Sequence, residues 1–119
     1  QRAWRSGRPA GPPPADAAQV EAGWRATGLL MGRLARICAT RGIRPIIVLI
    51  PERAHLEARP ERDARRLAAL CRQAGLDVID LLDHLRGNGL YFPQDGHWTE
   101  DGNAAAARAL YQYLRYDTG

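Results

Sequence analysis

The 119-residue chain has no lysine, one serine, two cysteines, one phenylalanine and one methionine. All 17 of its basic residues are therefore arginine, set against 13 acids for a net charge of +4. Arginine suits a phosphate-binding surface, but here the arginines are spread along the chain and interleaved with the acids. Aromatic residues make up only 7%, too few to pair a basic stripe with stacking rings, so no nucleic-acid partner is expected. No run of 18 apolar residues exists, and no transmembrane segment is expected. Cys38 and Cys71 fall on predicted apolar helix faces, with no C-x-x-C partner and no histidine at metal spacing. A zinc site is not expected. Buried free thiols are the default, and a Cys38–Cys71 disulfide stays open for an exported protein.

The single serine is Ser6, in Arg5-Ser6-Gly7-Arg8. A nucleophilic serine needs a sharp turn supported by a preceding strand. Ser6 has an arginine- and proline-rich context and no apolar strand before it, so it is not expected to serve. Gln1 stands where an initiator methionine would, which suggests a partial chain.

With 45% hydrophobic residues, a modest core fits one domain at most, or part of one. Residues 1–15, QRAWRSGRPAGPPPA, read as a linker, with Trp4 as the one strong anchor. The domain proper runs over residues 16–119. Asp16 is a predicted N-cap, followed by a helix from Ala17 to about Arg41. Val20, Trp24, Thr27, Met31, Leu34 and Cys38 recur on one face, with Leu30 and Ile37 beside them. Gly28 and its neighbours Gly23 and Gly32 weaken the helix but would allow close packing on a sheet. Gly42 is the expected stop.

Residues 43–50 form an apolar, β-branched run that predicts a strand buried on both faces. Pro45 falls near its start and Pro51 marks its end. Glu52, Arg53 and His55 leave the carboxyl edge, where open α/β sheets bind ligands, and are candidate substrate contacts. A second helix is expected between Pro60 and Gly75, a second strand over residues 76–82, and a closing helix from about Glu100 to Tyr116. Strand, helix and strand with short connections predict a parallel sheet. Asp83 and His84 are adjacent but do not face each other on a helix, and read as surface residues.

Residues 91–102, YFPQDGHWTEDG, carry the chemistry. Asp95 and His97 flank a glycine in what reads as a tight loop, and Thr99 is a good N-cap for the closing helix. A carboxylate that holds an imidazole in one tautomer is what acid–base catalysis needs. A surface turn that merely caps a helix would use the same residues.

This segment resembles the last catalytic block of the SGNH hydrolases. Its D-x-H-W form is closest to the SGNH-like domains of polysaccharide O-acetyltransferases. The apolar strand ending in Pro51 and the strand Leu76-Asp77-Val78-Ile79-Asp80-Leu81 extend the resemblance over roughly residues 17 to 115. It implies an α/β/α sandwich of flavodoxin-like type with a parallel sheet, seen in part. It implies a Ser-His-Asp triad in which Asp95 orients and His97 is the general base, with no metal or organic cofactor needed. Trp98 is a candidate wall of the acyl pocket, with packing under the loop as its other expected role. The implied function is serine esterase or carbohydrate O-acetyltransferase chemistry on an acyl ester or acetylated carbohydrate. The implied location is periplasmic or membrane-associated. The G-D-S-type serine block and the oxyanion-hole blocks of that family are not found here. In most members they lie upstream, and in some alginate-type enzymes the serine block follows. The chain thus looks like half of a catalytic domain, with an exposed sheet edge prone to self-association. The rival expectation is a non-catalytic α/β binding or interaction module.

Overall fold

The structure is a computed structural model that describes residues 13–53 and 61–117. Trp4, Ser6, His55 and Pro60 lie outside the described residues. Helix α1 spans Ala17–Thr40, strand β1 Ile46–Leu49, helix α2 Glu61–Gln73, strand β2 Asp77–Asp80 and helix α3 Glu100–Asp117.

Asp16 caps α1 through a reciprocal pair of bonds. Its Oδ1 accepts the Gln19 backbone N–H at 2.8 Å, and its own N–H donates to Gln19 Oε1 at 3.0 Å. Such a box satisfies two of the four orphan donors at a helix start. Both α1 and α2 end in a Schellman turn. Ile43 and Leu76 donate back to Cys38 and Cys71, while Gly42 and Gly75 donate to Ala39 and Arg72.

Those turns explain why both strands are shorter than the apolar runs predict. The N–H groups of Ile43 and Leu76 are committed to the preceding helix, and Pro45 has none to give. The ladder therefore begins at Ile46 paired with Asp77 and runs in parallel to Leu49 paired with Asp80. One further bond, Leu81 N–H to the Leu49 carbonyl at 3.1 Å, extends it. Leu82 N–H then turns to Asp80 Oδ1 at 2.9 Å and leaves the sheet. At the other end, Arg44 reaches across to Asp77 Oδ2 through Nε and Nη2, at 2.9 and 2.8 Å.

The chain is thus α/β with a parallel sheet, two-stranded among the described residues. Ile46, Val48 and Ile79 face a cluster that holds Leu81, Leu85, Tyr91, Ala106 and Ala109, so α3 covers this side. Alternation turns Leu49 to the opposite side, where it lines a cavity of about 340 Å³ together with Ala64 and Leu67 of α2 and Trp24 of α1. Helices thus lie on both sides of the sheet. β1 does not reach the expected burial on both faces. Three of its four residues are only half-buried and Ile50 is 60% exposed, because α2 alone backs its second face.

α1 differs from expectation in the same way. It packs on α2 rather than on the sheet. A single helix neighbour covers a narrow strip, so Trp24, Met31, Leu34 and Cys38 are sheltered while Val20, Leu30 and Ile37 are exposed. The close approach at Gly28 is to Leu70 of α2, where a Cβ would meet Cδ2 at 3.4 Å; none is found at Gly23 or Gly32. Arg66 fixes the pair of helices. Its two terminal nitrogens take both Glu21 oxygens at 2.8 and 2.7 Å, and its guanidinium sits 4.7 Å from the Trp24 ring centre. This bond holds the Glu21 carboxyl below its ordinary range. Cys38 and Cys71 are buried free thiols, and burial pushes the Cys71 thiol up, away from reactive thiolate.

Candidate active site

The segment before α3 is a β-hairpin rather than a bare loop. Thr99 N–H donates to the Leu90 carbonyl at 3.0 Å and Phe92 N–H to the His97 carbonyl at 2.8 Å. Tyr91 lies directly opposite Trp98 in an antiparallel bridge. Residues 93–96, Pro-Gln-Asp-Gly, form the tip. Gly96 adopts a φ of +73°, a left-handed conformation that a side chain would strain.

The two-residue period of the arms decides which side chains meet water. Tyr91 and Trp98 point inward. Tyr91 is buried at 9% exposure, and Trp98 is half-buried against the core cluster. Phe92 and His97 therefore point outward as a cross-strand pair, with Phe92 47% and the His97 side chain 82% exposed.

Asp95 binds His97 at two points. Its Oδ1 accepts the His97 backbone N–H at 2.9 Å, and its Oδ2 lies 3.2 Å from Nδ1. This accounts for the one-residue spacing. An aspartate readily accepts the N–H two residues on, and in doing so it brings its other oxygen beside that residue's imidazole. The backbone N–H of His97, and then its ring, hold the Asp95 carboxyl below the usual aspartate range. An ionised Asp95 beside Nδ1 favours the Nδ1–H tautomer, which puts the imidazole lone pair on Nε2. Asp95's contribution to the hairpin is present above its unfolded pKa and is lost as pH falls through the lower folded value.

The hairpin is held to α3 by Thr99. Its hydroxyl donates to the Gly89 carbonyl at 2.6 Å and accepts Gly102 N–H at 3.2 Å, as a helix N-cap does. Thr99→Ala is expected to lower unfolding free energy by about 1–2 kcal/mol, with Thr99→Ser close to wild type, in urea denaturation. Gly102 is buried against Leu90, and a Cβ there would overlap the Leu90 carbonyl oxygen.

The hairpin is also held to the end of β1. Tyr91 donates its buried hydroxyl to the Pro51 carbonyl at 2.6 Å, and Arg53 Nη1 donates to the Pro93 carbonyl at 2.9 Å. The structure thus brings Arg53 to the Asp95–His97 hairpin. Glu52 is exposed beside it. Asp83 pairs with Arg86 at 3.1 Å, and His84 is exposed, both apart from this site. The cavity behind Leu49 is lined by Pro51, but not by Asp95, His97 or Trp98. Among the described residues no three His, Cys, Asp or Glu side chains gather as a metal would require.

Two comparisons, with curated proteins and with solved structures, gave no match. A family model described as the SGNH hydrolase-like domain of the acetyltransferase AlgX matches residues 10–118. The chain belongs to this family. Membership agrees with the D-x-H-W resemblance and with the α/β architecture around a parallel sheet. It makes acetyltransferase- or esterase-type chemistry on an acyl or carbohydrate substrate the family background of the SGNH-like hairpin. No helix among the described residues is long and apolar enough to cross a membrane.

Tyr91 and Phe92 were not singled out from the sequence. The signal was present. Tyr91-Phe92 and His97-Trp98 flank a four-residue Pro-Gln-Asp-Gly tip, and Asp-Gly between apolar pairs is a hairpin signature.

Proposed function

We propose that this SGNH-like domain supplies the acid–base half of a Ser-His-Asp triad that transfers or hydrolyses an acyl ester. The observation that carries this reading is the double engagement of His97 by Asp95, through backbone N–H and Nδ1, which leaves Nε2 free. The nucleophile would be a serine elsewhere in the same polypeptide or on a partner chain. The described residues contain no serine, Thr99 is committed to its cap, and Cys71 is buried.

In the first half-reaction the serine Oγ attacks the acyl carbonyl and Nε2 of His97 takes its proton. Asp95 stabilises the resulting imidazolium, and that proton passes to the departing oxygen. In the second half, Nε2 takes a proton from the incoming hydroxyl and returns it to the serine as the acyl group leaves. Water as the incoming group gives an esterase, and a sugar hydroxyl gives an O-acetyltransferase. Trp98, half-buried and next to His97 in the chain, would wall the acyl pocket, and Arg53, bonded to the Pro93 carbonyl, would stand at its edge with Glu52. The second segment would meet the domain across the exposed hairpin face. Among the described residues the outer ladder edges of β1 and β2 are unpaired, and they offer it, or a second copy, a place to dock.

The test supplies an activated acetyl ester to the polypeptide that carries this domain, with and without an oligosaccharide acceptor. Release of acetate alone identifies an esterase, and O-acetylated sugar identifies a transferase. No consumption of the ester under either condition overturns the reading. One observation favours a second reading, a non-catalytic carbohydrate-binding or interaction module. The Asp95 and His97 side chains stand open to water at 57% and 82% exposure. That reading predicts sugar binding that survives replacement of His97.

A further inference from the structure

The Asp95–His97 pair sits at the tip of a hairpin, and a two-stranded ribbon alone is a poor platform for catalytic geometry. The tip is nonetheless bonded to the body of the domain on its first arm. Tyr91 O–H reaches the Pro51 carbonyl, and Arg53 reaches the Pro93 carbonyl. Each bond spans 40 residues of chain. Pro51 and Arg53 lie two and four residues beyond Leu49, the last residue of β1. Pro51 is buried, as is Tyr91. The Tyr91–Pro51 bond therefore lies away from competing water, and either group would be left unpaired without the other. Tyr91 also backs Trp98, the residue next to His97. Pro93 begins the tip that contains Asp95.

We infer that Tyr91 and Arg53 are positioning residues: two struts that fix the hairpin to the carboxyl end of β1 and hold Asp95 and His97 in register for proton transfer. This assigns Arg53 to the scaffold of the site rather than to substrate. It rests on the acid–base role proposed above for His97, but it can be judged independently of that role. A strut acts on geometry. Losing one should reduce the turnover of bound substrate and leave substrate affinity nearly unchanged.

The test uses the full polypeptide with Tyr91→Phe, Arg53→Ala and Arg53→Lys, each compared per folded molecule. Tyr91→Phe keeps the ring and removes only the donor. Lysine in place of Arg53 keeps a cationic donor for the Pro93 carbonyl. Displacement of a catalytic group by about an ångström costs on the order of a hundredfold, so kcat should fall roughly ten- to a hundredfold with KM within about twofold. Arg53→Lys should recover most of the loss seen in Arg53→Ala. The deciding readout is the pair of 15N shifts of the His97 imidazole in histidine-labelled protein. The wild type should show a single Nδ1–H tautomer, and Tyr91→Phe and Arg53→Ala should show a mixture. Should Tyr91→Phe fail to fold, the Arg53 variants decide. Unchanged tautomer populations in folded variants overturn the inference, whatever the activity. If the wild-type protein turns over no ester, the acyl-transfer reading falls while the tautomer result still judges the struts.

Discussion

Replacing His97 by alanine is expected to lower ester turnover by about a thousandfold or more, with little change in KM. In the proposed mechanism the imidazole beside Asp95 takes and returns the serine proton through Nε2. Without it, catalysis falls back on whatever binding and oxyanion stabilisation the second segment supplies. The fold should survive. The His97 side chain is 82% exposed and meets Asp95 at its Nδ1 edge. The hairpin bonds made by His97 use its backbone N–H and carbonyl, which alanine retains. A melting temperature close to wild type would therefore accompany the loss of turnover. A variant that still turns over ester at the wild-type rate would mean that the D-G-H-W hairpin is only a turn.

The largest effect on stability is expected at Gly102. On propensity alone, alanine inside a helix is better than glycine by about 1 kcal/mol. Here the added methyl has no room. It would overlap the Leu90 carbonyl oxygen and come within 3.0 Å of Trp98 Cβ. That carbonyl already accepts Thr99 N–H at 3.0 Å, so moving it away breaks a hairpin bond and pulls on the Thr99 cap. Overpacking of this kind costs up to about 3 kcal/mol and at times more, so it outweighs the propensity gain. Gly102→Ala should lower the urea midpoint strongly and, in the molecules that stay folded, misplace His97. Equal or higher stability would show that α3 starts farther from Leu90.

What could be read from the sequence follows from how local each cause is. The Asp16 cap, the Gly42 and Gly75 stops and the amphipathic helices depend on neighbours within a turn, and they were legible. The apolar centres of both strands were legible for the same reason. Their ends were not, because Ile43 and Leu76 look like strand residues while their N–H groups belong to the turn before. The partners of α1 were also hidden. Apolar spacing marks the face of a helix, but not whether a sheet or another helix covers it. At the candidate site, the proximity of Asp95 to His97 was legible because it is made within three residues. Arg53 stood out only as a candidate substrate contact; the bonds that Tyr91 and Arg53 make to carbonyls 40 residues away leave no mark in local pattern. The close approach of Gly102 to Leu90 is of the same kind, since a glycine in a helix reads only as a weak helix former.

Whether Asp95 and His97 serve a serine is decided by intact mass spectrometry of the protein from its native source, after exposure to a fluorophosphonate probe, with His97→Ala in parallel. The expected result is a species heavier than 13.2 kDa that gains one adduct, and labelling that slows by orders of magnitude when His97 is replaced. A species that takes up no probe, or one labelled equally fast without His97, would contradict it and leave the domain a binding module on an SGNH-like frame.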